Sequence, residues 1–192
     1  MDTLQEKIND HIAVSQKMLN MTDQIHTFSE HIYNAMSQNA SKVLICGNGG
    51  SASDSQHIAA EMIGRFYKER EAIPFICLNT DTSVLTCLSN DYAYSRVFGR
   101  QIEALGNDGD VLFVITTSGN SSNIVDAIEV ARRKNMTVVG MLGKDGGEVL
   151  NMCDHVLLVP SNDTARIQEM HILCGHLMCG IIEDKYTGSN NE

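Results

Sequence analysis

The chain has 192 residues, 43% of them hydrophobic, which is enough for one domain with a substantial core. Its formal charge of −10 argues against a nucleic-acid groove or an anionic membrane surface as the main partner. No apolar run could span a bilayer and Met1 to Met18 is polar-periodic rather than a signal segment, so the expected compartment is the cytoplasm.

The first forty residues predict two amphipathic helices. Leu4, Ile8, His11, Ile12, Ser15 and Leu19 form one stripe, Met21 to Asp23 a break, and Ile25, Phe28, Ile32, Ala35 and Met36 a second stripe. Such a hairpin is expected to pack on the core or on another subunit. Val43 to Cys46 then predicts a strand, Gly47 to Ser51 a tight glycine loop, and the residues beyond it a helix. A strand, glycine loop and helix N-terminus collect free amides that favour an anion, most readily a phosphate, and Ser51, Ser53 and Ser55 add hydroxyls. In an acidic protein such a site must be built locally from amides and hydroxyls. The loop has neither the GxGxxG spacing of a dinucleotide site nor the GK[ST] ending of a Walker loop. One face of the following helix carries His57 and Glu61 at i,i+4, an imidazole beside a carboxylate.

Phe75 to Leu78 predicts the second strand, and Thr82 or Asp81 caps a helix from Val84 to Asn90. Asn90 and Asp91 fall at the break after it, and a further helix is expected from Tyr94 to Leu105. Asp110 to Ile115 is the third strand, leading into Thr116, Thr117, Ser118, Gly119, Asn120, Ser121 and Ser122 before a helix from Ile124 to Arg133. One hydroxyl suffices to cap that helix, so the surplus favours a second anion nest. Met136 to Met141 and His155 to Val159 are the last strands, with His155 read as structural. A long helix from about Asp163 to Glu183 carries Gln168, Glu169, His171 and His176. The alternation predicts an α/β fold, a five-stranded parallel sheet with helices on both faces, and ligands outside the carboxyl ends of the strands. A single domain is expected: helices over 1–40, the α/β core over 41–186 and a polar tail over 187–192. The six cysteines, Cys46, Cys77, Cys87, Cys153, Cys174 and Cys179, are scattered without CxxC and read as reduced, buried small hydrophobes.

Taken together, CGNGGSASDSQHIAAE, LSNDY, TTSGNS and RIQEMHILCGH resemble the phosphoheptose isomerase branch of the sugar isomerase (SIS) domain family, over nearly the whole chain. The resemblance implies a cytoplasmic aldose–ketose isomerase that converts sedoheptulose 7-phosphate to D-glycero-D-manno-heptose 7-phosphate in bacterial surface heptose biosynthesis. It places Asn48, Gly49, Gly50, Ser51, Glu61, Asn90, Asp91, Thr116, Thr117, Ser118, Ser121 and Gln168 around the sugar phosphate. It places one zinc ion on His57, Glu61, Gln168 and His176, and implies a homotetramer with sites at subunit interfaces. Glu61 is the candidate base and His176 the second acid/base. Gln168 and His176 are eight residues apart on one helix, about 12 Å along its axis. His171 is therefore the competing ligand if their reach fails. Some family members carry an aspartate where this chain has Ala165, which leaves the role of the nearby Asp163 open. The alternative is a non-catalytic SIS protein that binds a protein partner or senses a phosphosugar. The replication-initiator-associating branch lacks the glutamate and the second histidine, and this chain keeps both.

Overall fold

The apolar runs become parallel strands, buried on both faces over Val43–Gly47 and Val111–Thr116 and partly open at the edges, where Ile76 of the second strand is exposed. The structure is a computed structural model that describes residues 3–37 and 41–188; the ends of the expected hairpin and tail, 1–2, 38–40 and 189–192, lie outside the described residues. Strands β1 (Val43–Gly47), β2 (Phe75–Cys77), β3 (Val111–Thr116), β4 (Thr137–Leu142) and β5 (His155–Leu158) pair in parallel in the order β2-β1-β3-β4-β5. The helices are α1 (Leu4–Met18), α2 (Thr22–Ser37), α3 (Gly50–Ile63), α4 (Thr82–Asp91), α5 (Gly99–Leu105), α6 (Ser122–Arg133) and α7 (Thr164–Tyr186). Alternate strand residues feed two cores. Val43, Ile45, Phe75 and Phe113 meet α2, α3 and α7 on one face, and Leu44, Cys46, Leu112 and Val114 meet the α5–α6 layer on the other. The strand order reverses direction at the β1/β3 neighbours, so the loops after these two strands flank the crevice where open α/β sheets take ligands.

Three expectations shift. The α1 stripe does not face the core: Leu4, Ile8, Ile12 and Leu19 are exposed, and α1 is held instead through Val14 and Met18. The second stripe, Ile25, Phe28, Ile32 and Met36, is buried as expected. Tyr94–Leu105 is not one helix but a 3-10 turn (Tyr94–Arg96) followed by α5. There the buried side chains of Val97 and Phe98 turn the chain into the core, and Gly99 packs so closely on Asp126 that an added Cβ would sit 1.9 Å from its carboxylate. Of the cysteines, Cys46, Cys77, Cys174 and Cys179 are buried, Cys153 is half-buried, and Cys87 is exposed on α4. His155 is structural as read: its ring stacks on His31 of α2 at 3.5 Å between centroids. Among the described residues, no helix is long and apolar enough to cross a membrane.

Candidate active site

The first loop offers backbone donors rather than side chains. Gly49 occupies the N-cap of α3 at φ 59°, a left-handed conformation that favours glycine, and offers no side-chain oxygen to the first-turn amides. Those amides, on Gly49 and Gly50, stand exposed at the positive end of the helix dipole. Of the three serines expected to help, Ser55 is spent on its own helix, donating to the Ser51 carbonyl at 2.7 Å, while Ser51 is buried beneath the loop.

The second loop is folded by its own polar groups. The Thr116 hydroxyl accepts from the Gly119 amide at 3.2 Å, and the Ser118 hydroxyl accepts from the Asn120 amide at 3.3 Å. Gly119 sits at φ 66° with the Gly146 carbonyl against it; a Cβ there would come within 1.8 Å of that oxygen. Ser121 holds the N-cap position of α6 but its side chain makes no capping bond.

Gln168 joins this end of the site. Its carboxamide lies against Gly50, where a Cβ would meet it at 2.7 Å. Asp163, whose role was open, is the N-cap of α7 and accepts from the Ala165 and Arg166 amides. Asn90 and Asp91 are exposed at the end of α4 and bound to each other: the Asn90 amide donates to Asp91 at 2.8 Å. That bond, with the Cys87 thiol on the other oxygen, holds the Asp91 carboxyl below its usual range.

Helices α3 and α7 run side by side in the same direction, Gly50 beside Gln168 and Ile58 beside Gly175. This register brings His57 and Glu61 to His176. His57 Nε2 lies 3.2 Å from Glu61 Oε1 and 3.4 Å from His176 Nε2. The His176 ring meets His57 edge to face, with 4.9 Å between centroids, and stacks on Phe66 at 5.8 Å. The three donor atoms lie within 4.8 Å of one another. Two imidazole nitrogens and a carboxylate oxygen converging so tightly fit the ligand preferences of zinc, and this chain's residues therefore suit the implied ion. Gln168, placed with these donors by the resemblance, lies against Gly50, seven residues before His57 on α3. His171 is not the substitute ligand. It points into the core, fully buried, with Nε2 on the Leu142 carbonyl at 3.0 Å, and burial pushes its pKa down to about 4.

The wall beside His176 is pinned from below. Glu183, 1% exposed, accepts from the amides of Phe66, Tyr67 and Lys68 and pairs with Arg70 at 3.1 Å. Burial works against this carboxylate, but the Tyr67, Phe66 and Lys68 amides and the Arg70 charge outweigh it and hold its pKa below the usual value. Arg70 in turn donates to the carbonyls of Glu61 and Met62, tying α3 to the same anchor. Sequence reasoning also missed Asp54, one turn before His57. One of its carboxylate oxygens is buried without a partner, and burial raises its pKa to about 6 against the opposing pull of His57. Its spacing, four residues after Gly50 and three before His57, was the available signal.

An anion receptor at a sheet's switch point, with imidazole and carboxylate chemistry further along the same helix, defines an α/β domain that processes small phosphorylated metabolites. The family model described as SIS domain matches residues 8–143. A phosphoheptose isomerase of Clostridium acetobutylicum is 48% identical over 96% of this chain and 95% of its own length. One of Helicobacter hepaticus is 45% identical over 98% and 95%. The solved phosphoheptose isomerase of Neisseria gonorrhoeae superposes with a TM-score of 0.87 at 41% identity, covering 95% of this chain and all of that one. The chain belongs to the SIS domain family, in its phosphoheptose isomerase branch.

Proposed function

We propose that the protein is a cytoplasmic aldose–ketose isomerase that interconverts sedoheptulose 7-phosphate and D-glycero-D-manno-heptose 7-phosphate, a step towards bacterial surface heptoses. The observation that carries this reading is the meeting of His176 of α7 with His57 and Glu61 of α3, the helix whose N-terminus follows the glycine loop. Gly49, Gly50 and Ser51 in the first loop, Thr116, Thr117, Ser118 and Ser121 in the second, and Gln168 beside Gly50 receive the phosphate end. Asn48, Asn90 and Asp91 border the same crevice.

Glu61 removes the proton from C1 while His176 delivers one to the C2 oxygen, giving the cis-enediol. In the second half the C1 hydroxyl proton returns to His176 and Glu61 protonates C2, so each group ends as it began. His57, Glu61 and His176 would hold a zinc ion, which would supply Lewis-acid polarisation when bound. Phe66 on one side of the His176 ring keeps that imidazole oriented. A non-catalytic binding protein would have no use for these three donors in contact.

The active form is a homotetramer with sites at subunit interfaces. Exposed Leu173 and Leu177 border a groove containing Phe66, Tyr67 and His176, an apolar surface beside the donor cluster that a second copy would cover. Turnover of sedoheptulose 7-phosphate, measured with chelator and after added zinc, tests the reading. Loss with chelator and recovery with zinc is the expected result; no turnover under any metal condition would overturn it. Light scattering tests the tetramer, and a monomeric active enzyme would remove the interfacial site.

A further inference from the structure

Asn48 does not present its carboxamide to the crevice. The amide is exchanged with that of Asn123 in a reciprocal pair: Asn48 Nδ2 donates to Asn123 Oδ1 at 2.9 Å, and Asn123 Nδ2 donates to Asn48 Oδ1 at 2.9 Å. The Tyr94 hydroxyl adds a third bond to Asn48 Oδ1 at 3.2 Å. Asn123 is the second residue of α6 and only 2% exposed, so its polar atoms have no easy alternative partner. One residue back, Gly47 is held just as fully. Asn79 Oδ1 accepts from the Gly47 amide at 3.2 Å and Asn79 Nδ2 donates to the Gly47 carbonyl at 2.9 Å.

The placement of Asn79 has a structural logic. The β1–β2 ladder ends at the pair Ile45 and Cys77, and Asn79, two residues on, supplies with its side chain the rung that the strand no longer makes. On the other side β1 is still paired with β3, and Asn123 follows the second hydroxyl loop. The first loop is thus clamped from both neighbouring strands by asparagines absent from the expected substrate shell. A glycine-rich loop left to itself loses much backbone entropy when a ligand orders it. Fixing it beforehand moves that cost from binding to folding.

We propose that Asn123 and Asn79 are positioning residues of the sugar-phosphate site, holding the Gly47–Ser51 loop in its anion-receiving shape before substrate arrives, with Asn48 acting as the tie between the two loops rather than as a side-chain ligand. This rests on reading that loop as the phosphate receptor.

The test is steady-state kinetics of the zinc-supplemented enzyme with sedoheptulose 7-phosphate, with inorganic phosphate as a competitive inhibitor. Asn123→Ala and Asn79→Ala should each raise KM and the inhibition constant of phosphate together, by about tenfold, while kcat stays within about threefold. Asn48→Ala combined with Asn123→Ala should be no weaker than the weaker single variant, because both remove the same tie. Wild-type KM and phosphate inhibition alongside only a lower melting temperature would overturn the proposal and leave the asparagines a role in folding alone. If Asn123→Ala does not fold, the half-buried Asn79→Ala carries the same test. Gly50→Asp separates the two levels of the argument by driving a carboxylate against Gln168 at the first amides of α3, which sets a negative charge at the proposed receptor. Phosphate inhibition surviving Gly50→Asp would refute the receptor itself; inhibition lost in Gly50→Asp but unchanged in both asparagine variants would refute only the brace.

Discussion

The two ends of α3 are built on opposite principles. At its N-terminus the working groups are backbone amides, fixed by a strand on either side and by the asparagines on Gly47 and Asn48. Two turns later they are side chains, His57 and Glu61, on a helix face where the His57 side chain is 47% exposed and its nearest partners are each other and His176. The first end is braced within one chain by those strands and asparagines. The second is held by the α3–α7 register and by the Glu183 anchor beneath Phe66. Binding and chemistry are therefore separable in this molecule, and substitutions should act on one end without the other.

The sharpest separation is Glu61→Gln. Turnover should fall by about 10²–10⁴-fold, the range of a lost general base, with inhibition by inorganic phosphate unchanged. Normal turnover in that variant would remove Glu61 from the mechanism. Next in size is Glu183→Ala, which strips Arg70 of its buried partner and frees three amides. It should cost about 3–5 kcal/mol of stability in denaturant titration. A near-neutral result would show that the wall beside His176 stands without its anchor.

A smaller, pH-dependent effect belongs to the core under the long helix. His171 has a folded pKa of about 4, below the ordinary imidazole value of 6.5, so between these values the unfolded chain binds a proton that the native chain refuses. Stability must then rise with pH from 4 to 6.5, by roughly 3 kcal/mol from this residue. His171→Leu should flatten that rise in melts taken across the window, since the Leu142 carbonyl keeps the Val159 amide as a donor. An unchanged pH profile would assign the acid sensitivity elsewhere. The smallest effect is expected from Ser121→Ala, which removes a hydroxyl that makes no capping bond. KM should rise about threefold to tenfold with the melting temperature unmoved; a drop in stability without a change in KM would make Ser121 a structural residue.

Much of the architecture was legible because it follows from local rules. Apolar runs too short and too uniformly buried for helices had to be parallel strands, and glycine and hydroxyl residues after β1 and β3 had to mark the ligand end of the sheet. His57 and Glu61 were readable as neighbours because four residues on a helix is a fixed geometry. The α1 stripe was read with the right period, but its choice between core and another subunit stayed open, since periodicity tells which residues share a face and nothing of what that face meets. His171 looked as good a ligand as His176 for the same reason; only the packing of α7 on β4 turns one inward and the other towards His57.

What the chain determines by itself is the set of elements, their parallel order of burial and the backbone chemistry of its two loops. These depend on spacings of a few residues, over which covalent geometry leaves little choice. Tertiary structure alone decided that His176 joins His57 across 119 residues, that Gln168 stays beside Gly50, and that Asn48 turns to Asn123. Such contacts are fixed by the register of helices packed on a sheet, and a shift of one residue in that register would give a different site from the same sequence.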